Sequence, residues 1–155
     1  MGIPMYGQNH EGNRLDNAGD GGLLINNDHT LAANDSGSTV IVSANAGITI
    51  KLPTPTAGMN FFFMFAGNAA ETEDIIIDSQ SNDNYLNGAL SIHDTDATGA
   101  VALAPIYPNG SSNSKMTLKD PGGGTWVKCV SDGTLWYTVG LIATATATAV
   151  VYADQ

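Results

Sequence analysis

The sequence has few basic residues: its 155 residues include only five Lys and Arg together, against fifteen Asp and Glu. Lys, Arg and Glu are the surface residues that favour helices, and their scarcity beside eighteen Gly and six Pro predicts an all-β chain. The net charge of −10 repels phosphate. The composition therefore disfavours binding to nucleic acid or to an anionic membrane surface.

Cysteine is limited to Cys129, which excludes an internal disulfide. Its position in an alternating strand pattern indicates a buried thiol rather than a nucleophile. The first residues, "MGIPMYGQNHEGN", lack a basic stretch followed by an apolar run, so no signal peptide is predicted. No segment is long and apolar enough to cross a membrane. We expect a soluble protein that is made in a cytoplasm.

Recognised catalytic motifs are also missing. The chain has no phosphate-binding G-x-x-x-x-G-K-[ST] loop, no dinucleotide-binding G-x-G-x-x-G and no G-x-S-x-G nucleophile elbow. His10, His29 and His93 lie far apart and have no metal-ligand partner at motif spacing. "DTDATG" (94–99) begins like a calcium loop, but Pro105 stands where the bidentate Glu belongs. We therefore predict no enzyme activity, no cofactor and no dedicated metal site, with incidental calcium binding near "DTDATG" left open.

Residues 1–30 differ from the remainder of the chain. They are rich in Gly, Asn and Asp, with isolated apolar residues and no strand or helix period. We predict an extended N-terminal arm over residues 1–30 and a β-domain over residues 31–155, with a plain disordered tail as the alternative. The proposed anchors of this arm on a partner are Ile3, Tyr6, Leu15, Leu23, Leu24 and Ile25.

Short strands are predicted throughout the β-domain. "STVIVSA" (38–44) and "GITIKLP" (47–53) are separated by "NAG", which favours a hairpin. The run "FFFMF" (61–65) is apolar on both faces, so it indicates either a central core strand or a subunit interface. The even spacing of the remaining strand-sized segments predicts an antiparallel β-sandwich or barrel, jelly-roll-like in type.

The segment "WVKCVSDGTLWYTVG" (126–140) predicts a hairpin with a two-residue type I′ turn at Asp132-Gly133. That turn pairs Val130 with Leu135. One face then carries Trp126, Lys128, Val130, Leu135, Tyr137 and Val139, and the other carries Val127, Cys129, Trp136 and Thr138. Each face has a tryptophan, so one face lines the core and the other needs a second cover. That cover is either the N-terminal arm or another copy of the chain.

The last segment, "LIATATATAVVYADQ" (141–155), alternates between Ala on one side and Thr, Val150 and Tyr152 on the other. It predicts a long strand that must pair within its own sheet or with a neighbouring subunit, because an exposed edge of this kind aggregates. We therefore expect a symmetric homo-oligomer. The interface candidates in the C-terminal half are Trp136, Ala145, Ala147 and Tyr152.

Residues 37–140 resemble small structural proteins of tailed bacteriophages, including the capsid decoration (cement) proteins of marine phages. The resemblance is carried by "ITIKLPTPTAG" (48–58) before an aromatic strand and by "GTWVKCVSDGTLWYTVG" (124–140). Similar modules also occur in phage tail fibres and baseplates. The resemblance implies a β-body that forms a homotrimer on the outer capsid surface of the virion, bound to the major capsid protein between capsomers.

Three functional hypotheses follow. The first is a capsid decoration protein that stabilises the shell. The second is a receptor- or glycan-binding module of a tail fibre, which would use loops such as "HDTDATG" (93–99) and "YPNGSSNS" (107–114). The third is a small hydrolase that uses a pair of carboxylates, for which the sequence shows no constellation.

Overall fold

The computed structural model describes residues 13–14, 22–44, 46–67, 73–96, 104–111, 113–146 and 148–155. Within them, thirteen strands form two sheets that pack face to face around one apolar core. The strands are β1 (Asn13–Arg14), β2 (Leu23–Ile25), β3 (His29–Thr30), β4 (Thr39–Val42), β5 (Ile48–Lys51), β6 (Asn60–Phe65), β7 (Ile75–Asp78), β8 (Leu86–Asp94), β9 (Ala104–Ile106), β10 (Lys115–Leu118), β11 (Trp126–Ser131), β12 (Trp136–Thr144) and β13 (Val150–Ala153). A 3-10 turn spans Ala33–Asp35.

The predicted all-β sandwich is confirmed. One sheet has eight strands in the order β1-β2-β4-β6-β11-β12-β8-β9, and the other has five in the order β13-β10-β7-β5-β3. The sheets are mixed rather than purely antiparallel. β11 is antiparallel to both β6 and β12, and β10 to both β7 and β13, whereas β8 and β12 are parallel.

From β2 to β7 the chain alternates between the two sheets. β2, β4 and β6 are parallel neighbours in the eight-stranded sheet, and β3, β5 and β7 are parallel neighbours in the other. The hairpin predicted at "NAG" is therefore wrong, because this loop carries the chain across the core from β4 to β5. A hairpin and a crossover bury the same alternate residues, so the period of two could not distinguish them.

The core is built from the inward side chains of both sheets. Phe61, Phe63 and Trp136 are fully buried, with ring centroids of Phe61 at 6.4 Å from Phe63 and 5.9 Å from Trp136. Ile77 and Met116 are buried in the five-stranded sheet. Burying one such apolar side chain contributes about 1.5–3 kcal/mol. This shared core makes the two sheets one structural body.

The second half of the predicted arm belongs to this body. Leu23 and Ile25 of β2 are 2% and 3% exposed, and β2 pairs with β4. β3 pairs with β5, and the following Leu31 is buried. A domain boundary at residue 30 would separate β2 and β3 from β4 and β5, the strands with which they pair. Ile3, Tyr6 and Leu15 lie outside the described residues, and for them the arm stays a prediction.

Candidate docking face of the eight-stranded sheet

The β11–β12 hairpin pairs Ser131 with Trp136 and closes through a four-residue loop. The predicted two-residue turn is wrong because only Gly133 takes a positive φ, 105°, whereas a type I′ turn needs one at Asp132 as well. The Asp132 carboxylate instead accepts hydrogen bonds from the N–H groups of Leu135 and Thr134, each at 2.8 Å. These two hydrogen bonds lower the pKa of the Asp132 carboxyl, and the one from Leu135 has the larger effect. The register differs from the prediction by two residues, so every strand side chain keeps its predicted face.

The inner face of the hairpin lines the core. Val127, Cys129, Trp136 and Thr138 are buried. The predicted burial of Cys129 is confirmed, and this burial raises the pKa of its thiol to about 12. Trp136, predicted as an interface residue, lies inside the core of its own chain with no exposed surface. It therefore has no direct contact to offer a partner.

The outer face of the hairpin belongs to an apolar surface that crosses five strands. Leu24, Ile41, Met64, Trp126 and Leu141 form one row, because each is the register partner of the next on β2, β4, β6, β11 and β12. Phe62 and Val139 flank Lys128 in the second row, and Val130 pairs with Tyr137 in a third. We call the nine apolar residues of these rows the outer apolar face: Leu24, Ile41, Phe62, Met64, Trp126, Val130, Tyr137, Val139 and Leu141.

Three members of the outer apolar face are strongly exposed: Met64 at 48%, Tyr137 at 45% and Val139 at 53%. The other six are partly buried against one another, with the Phe62 and Trp126 rings 5.9 Å apart. Five strands at the usual spacing and two to three rows correspond to about 400 Å². Single exposed apolar residues are ordinary, whereas a contiguous surface of about 400 Å² is as large as the largest apolar patch of a typical soluble monomer, which is often functional.

The charge of this surface differs from that of the whole chain. Lys128 is the single charged residue among the outward positions of the three rows, all of which lie within the described residues. At the margin, Asp132 accepts a 3.0 Å hydrogen bond from the Tyr137 hydroxyl, and this bond raises the pKa of Tyr137. On a chain of net charge −10, covering this face would therefore require the desolvation of little charge.

The C-terminal candidates do not join this face. The predicted single strand is two strands, since β12 ends at Thr144 and β13 begins at Val150 in the other sheet. The Thr144 hydroxyl donates to the carbonyl of Lys119 at 3.0 Å and accepts from the Thr146 N–H at 3.0 Å, which turns the chain between the sheets. Thr144 and Thr146 therefore stabilise the turn between β12 and β13 and do not form one face of a single long strand.

Of the remaining C-terminal candidates, Ala145 is exposed in this turn, and Ala147 lies outside the described residues. Tyr152 packs against the core from β13. Burial raises the pKa of Tyr152 to about 12, which the neighbouring Thr138 hydroxyl offsets only in part. The Tyr152 hydroxyl makes no hydrogen bond of normal geometry with the described residues. It is therefore a core-facing residue rather than part of the outer apolar face.

The loop at "DTDATG" is described only as far as Asp96. The Asp96 N–H donates to the Asp94 carboxylate at 3.1 Å, and the adjacent Asp94 carboxyl raises the pKa of Asp96. Among the described residues, no three or more His, Cys, Asp and Glu side chains are grouped so that they could hold a metal ion. No helix in this part of the chain has the length and apolar character to span a membrane.

Sequence reasoning identified the hairpin part of the face but missed its extension. The sequence predicts Ile41 in a hairpin strand, leaves the run that contains Met64 open between a core strand and a subunit interface, and places Leu24 in the arm. Their outward positions follow from the alternation of each strand. The alternation was visible in the sequence, but the order of the strands, which places these residues in one row, was not.

No protein-family model matches the chain, and no curated protein matches it either.

Proposed function

We propose that the protein is a structural component of a phage virion that binds the outer capsid surface as a homotrimer and stabilises the shell by bridging capsomers. The observation that carries this proposal is the outer apolar face, a nearly uncharged surface on a chain of net charge −10. The resemblance of residues 37–140 to decoration proteins suggests the major capsid protein as the partner.

The size of the outer apolar face fits a weak contact that is repeated many times. A stable two-protein interface buries about 800 Å² on each partner, and this face offers about half of that. One copy would therefore bind weakly through it. Three linked copies bind together with far greater avidity, provided that the geometry lets them engage at once. A rigid β-body with one shared core suits this mode, because little conformational freedom is lost on binding.

Copy number tests the proposal directly. Quantitative mass spectrometry of purified particles would compare this chain with the major capsid protein. We expect a ratio that is a sizeable fraction of the shell protein. A trace ratio would contradict a coat and would place the protein on a tail appendage.

One observation favours receptor or glycan binding as a second candidate function. Tyr107 is the most exposed large apolar residue in the described part of the chain, at 64%, and lies in the loop "YPNGSSNS". The Asn109 carboxamide oxygen accepts hydrogen bonds from the Ser111 N–H at 2.9 Å and the Asn113 amide at 2.8 Å, which orders the loop beside it. An exposed ring next to amides and hydroxyls suits a sugar. Retention on a glycan array that is lost in Tyr107→Ala would support this function, and no retention would remove it.

A further inference from the structure

A lysine lies inside the outer apolar face. Lys128 points outward from β11 and is exposed. Its register partners on the neighbouring strands are Phe62 of β6 and Val139 of β12. Along β11, Trp126 and Val130 lie two residues away on the same side of the sheet, at about 7 Å. All four neighbours of Lys128 on the sheet are therefore members of the outer apolar face.

The ammonium of Lys128 has no counter-charge on this face. Among the described residues, Lys128 forms no ion pair. Asp132, the acidic residue of the β11–β12 hairpin, does not supply one, because its carboxylate is engaged by two backbone N–H groups of its own loop and by the Tyr137 hydroxyl. Water therefore solvates the Lys128 ammonium in the free protein.

A partner that covers the outer apolar face also covers Lys128, because the lysine stands between Phe62 and Val139 in the second row. Covering removes water from the ammonium, and an unpaired buried charge is strongly unfavourable. Contact with apolar neighbours does not replace the lost hydration. Tight docking therefore requires a group on the partner that takes the place of water at the ammonium.

The net charge of −10 limits the chemistry of that group. Phosphate-rich partners and broadly acidic protein surfaces are repelled by the chain as a whole. A single carboxylate set among apolar side chains avoids most of this repulsion, because salt screens the distant charges while Lys128 acts at contact distance. A carboxylate also neutralises the buried charge, which a carbonyl does not do. The face therefore fits a partner surface with one isolated Asp or Glu.

We propose that the shell surface that docks on the outer apolar face carries one Asp or Glu carboxylate, surrounded by apolar side chains, and that this carboxylate accepts a hydrogen bond from Lys128. The inference rests on the proposed function and names the chemistry of the partner at the same site. The charge pair fixes the orientation of the β-body on the shell, since a shifted or rotated body would leave both charges buried and unpaired.

Two lysine-to-methionine variants test the charge pair in the full chain. Lys128→Met keeps an unbranched apolar side chain and removes the charge. The matched control is Lys51→Met, because Lys51 is exposed on β5 of the other sheet and its replacement changes the net charge equally. Both variants should unfold at nearly the parental urea concentration. In binding to shells stripped of this protein, Lys128→Met should be about tenfold weaker, because the partner carboxylate would be buried alone, and Lys51→Met should match the parent.

Reversal and retention of the charge sharpen the comparison. Lys128→Glu should bind about hundredfold more weakly or worse, because it brings two carboxylates together. Lys128→Arg keeps the charge and should bind within about threefold of the parent. Parental or tighter binding by Lys128→Met would overturn the inference, since it would show that the ammonium stays in water when the face is covered.

Zero-length cross-linking identifies the partner residue. A water-soluble carbodiimide activates a carboxyl group, the Lys128 amine attacks it to form an amide, and the lost water leaves as part of a urea. With parental protein bound to shells, peptide mass spectrometry should find Lys128 joined to one Asp or Glu of the major capsid protein. Lys128→Arg should bind but give no such product, because a guanidinium does not react. A link from Lys128 to another copy of this chain would instead overturn the inference and assign the face to a subunit contact.

The shell assay separates this inference from the proposed function. Parental shell binding that is weakened by Val139→Asp but not by Lys128→Met would refute the acidic partner and leave docking through the outer apolar face intact. Shells that do not bind the parent protein would refute the proposed function, and this inference with it.

Discussion

Adjacent phenylalanines on β6 provide a matched test of which side of the sheet is the core. Phe63 is fully buried, whereas Phe62 is partly buried on the outer apolar face against Trp126. Phe63→Ala removes a core ring and leaves a cavity, which costs about 3–5 kcal/mol. Phe62→Ala loses part of a transfer free energy and one ring contact, about 1–2 kcal/mol. We therefore expect the loss in the free energy of unfolding to be larger for Phe63→Ala than for Phe62→Ala by about 1–4 kcal/mol.

Urea unfolding followed by circular dichroism measures both values. With a slope of about 2 kcal/mol per molar urea, Phe63→Ala should lower the midpoint by about 2 M and Phe62→Ala by less than 1 M. The two changes remove the same atoms from neighbouring positions of one strand, so propensity and unfolded-state effects cancel. Equal losses, or a larger loss for Phe62→Ala, would refute the assignment of the inner and outer faces.

Three further predictions concern the packing of the sandwich. Gly88→Ala should destabilise the fold by well over the roughly 1 kcal/mol expected of the control Gly124→Ala. Both glycines have positive φ, but only at Gly88 would a Cβ lie 2.0 Å from a backbone oxygen, that of Thr138. The urea midpoints of the two variants measure the difference. The Cys129 thiol should resist a thiol reagent at pH 8 until the chain unfolds. The pKa of this thiol is about 12 in the folded protein and about 9 in the unfolded chain. Above pH 9 the unfolded chain therefore loses the thiol proton first, and the free energy of unfolding should fall as pH rises. Urea unfolding between pH 8 and 10.5 tests this. Tyr152→Phe removes a buried hydroxyl without a good hydrogen bond and should change the free energy of unfolding by less than about 1 kcal/mol; a larger loss would show that the hydroxyl is bonded.

The faces of individual strands could be predicted because side-chain alternation is local. In β11 and β12 the predicted sides hold even though the register is shifted by two residues. The turn itself could not be predicted from "DG" alone. The Asp132 carboxylate accepts two backbone N–H groups and stabilises a longer loop than the type I′ turn.

The arrangement of the strands could not be derived from the pattern. β2 has only three residues between Gly and Asn, too few to show a period, so Leu23 and Ile25 resembled arm residues. Their burial depends on the pairing of β2 with β4. That pairing exists because the chain crosses between sheets after β2 and β3, a consequence of long-range packing. The outer apolar face could not be predicted for the same reason, because its main row joins residues of strands that are far apart in sequence and become neighbours only in the folded sheet.

The most direct test of the central claim compares aspartate substitutions on the two sheets. Val139 lies on the outer apolar face and Val151 on the outer side of β13, at 53% and 37% exposure. Because both positions are exposed, each variant should unfold at nearly the same urea concentration as the parent protein. In a binding assay with shells stripped of this protein, Val139→Asp should bind about tenfold more weakly or worse, because the new carboxylate, even beside its register partner Lys128, would lose its hydration when the apolar face is covered. Val151→Asp should bind like the parent. Parental binding by Val139→Asp would contradict docking through this face.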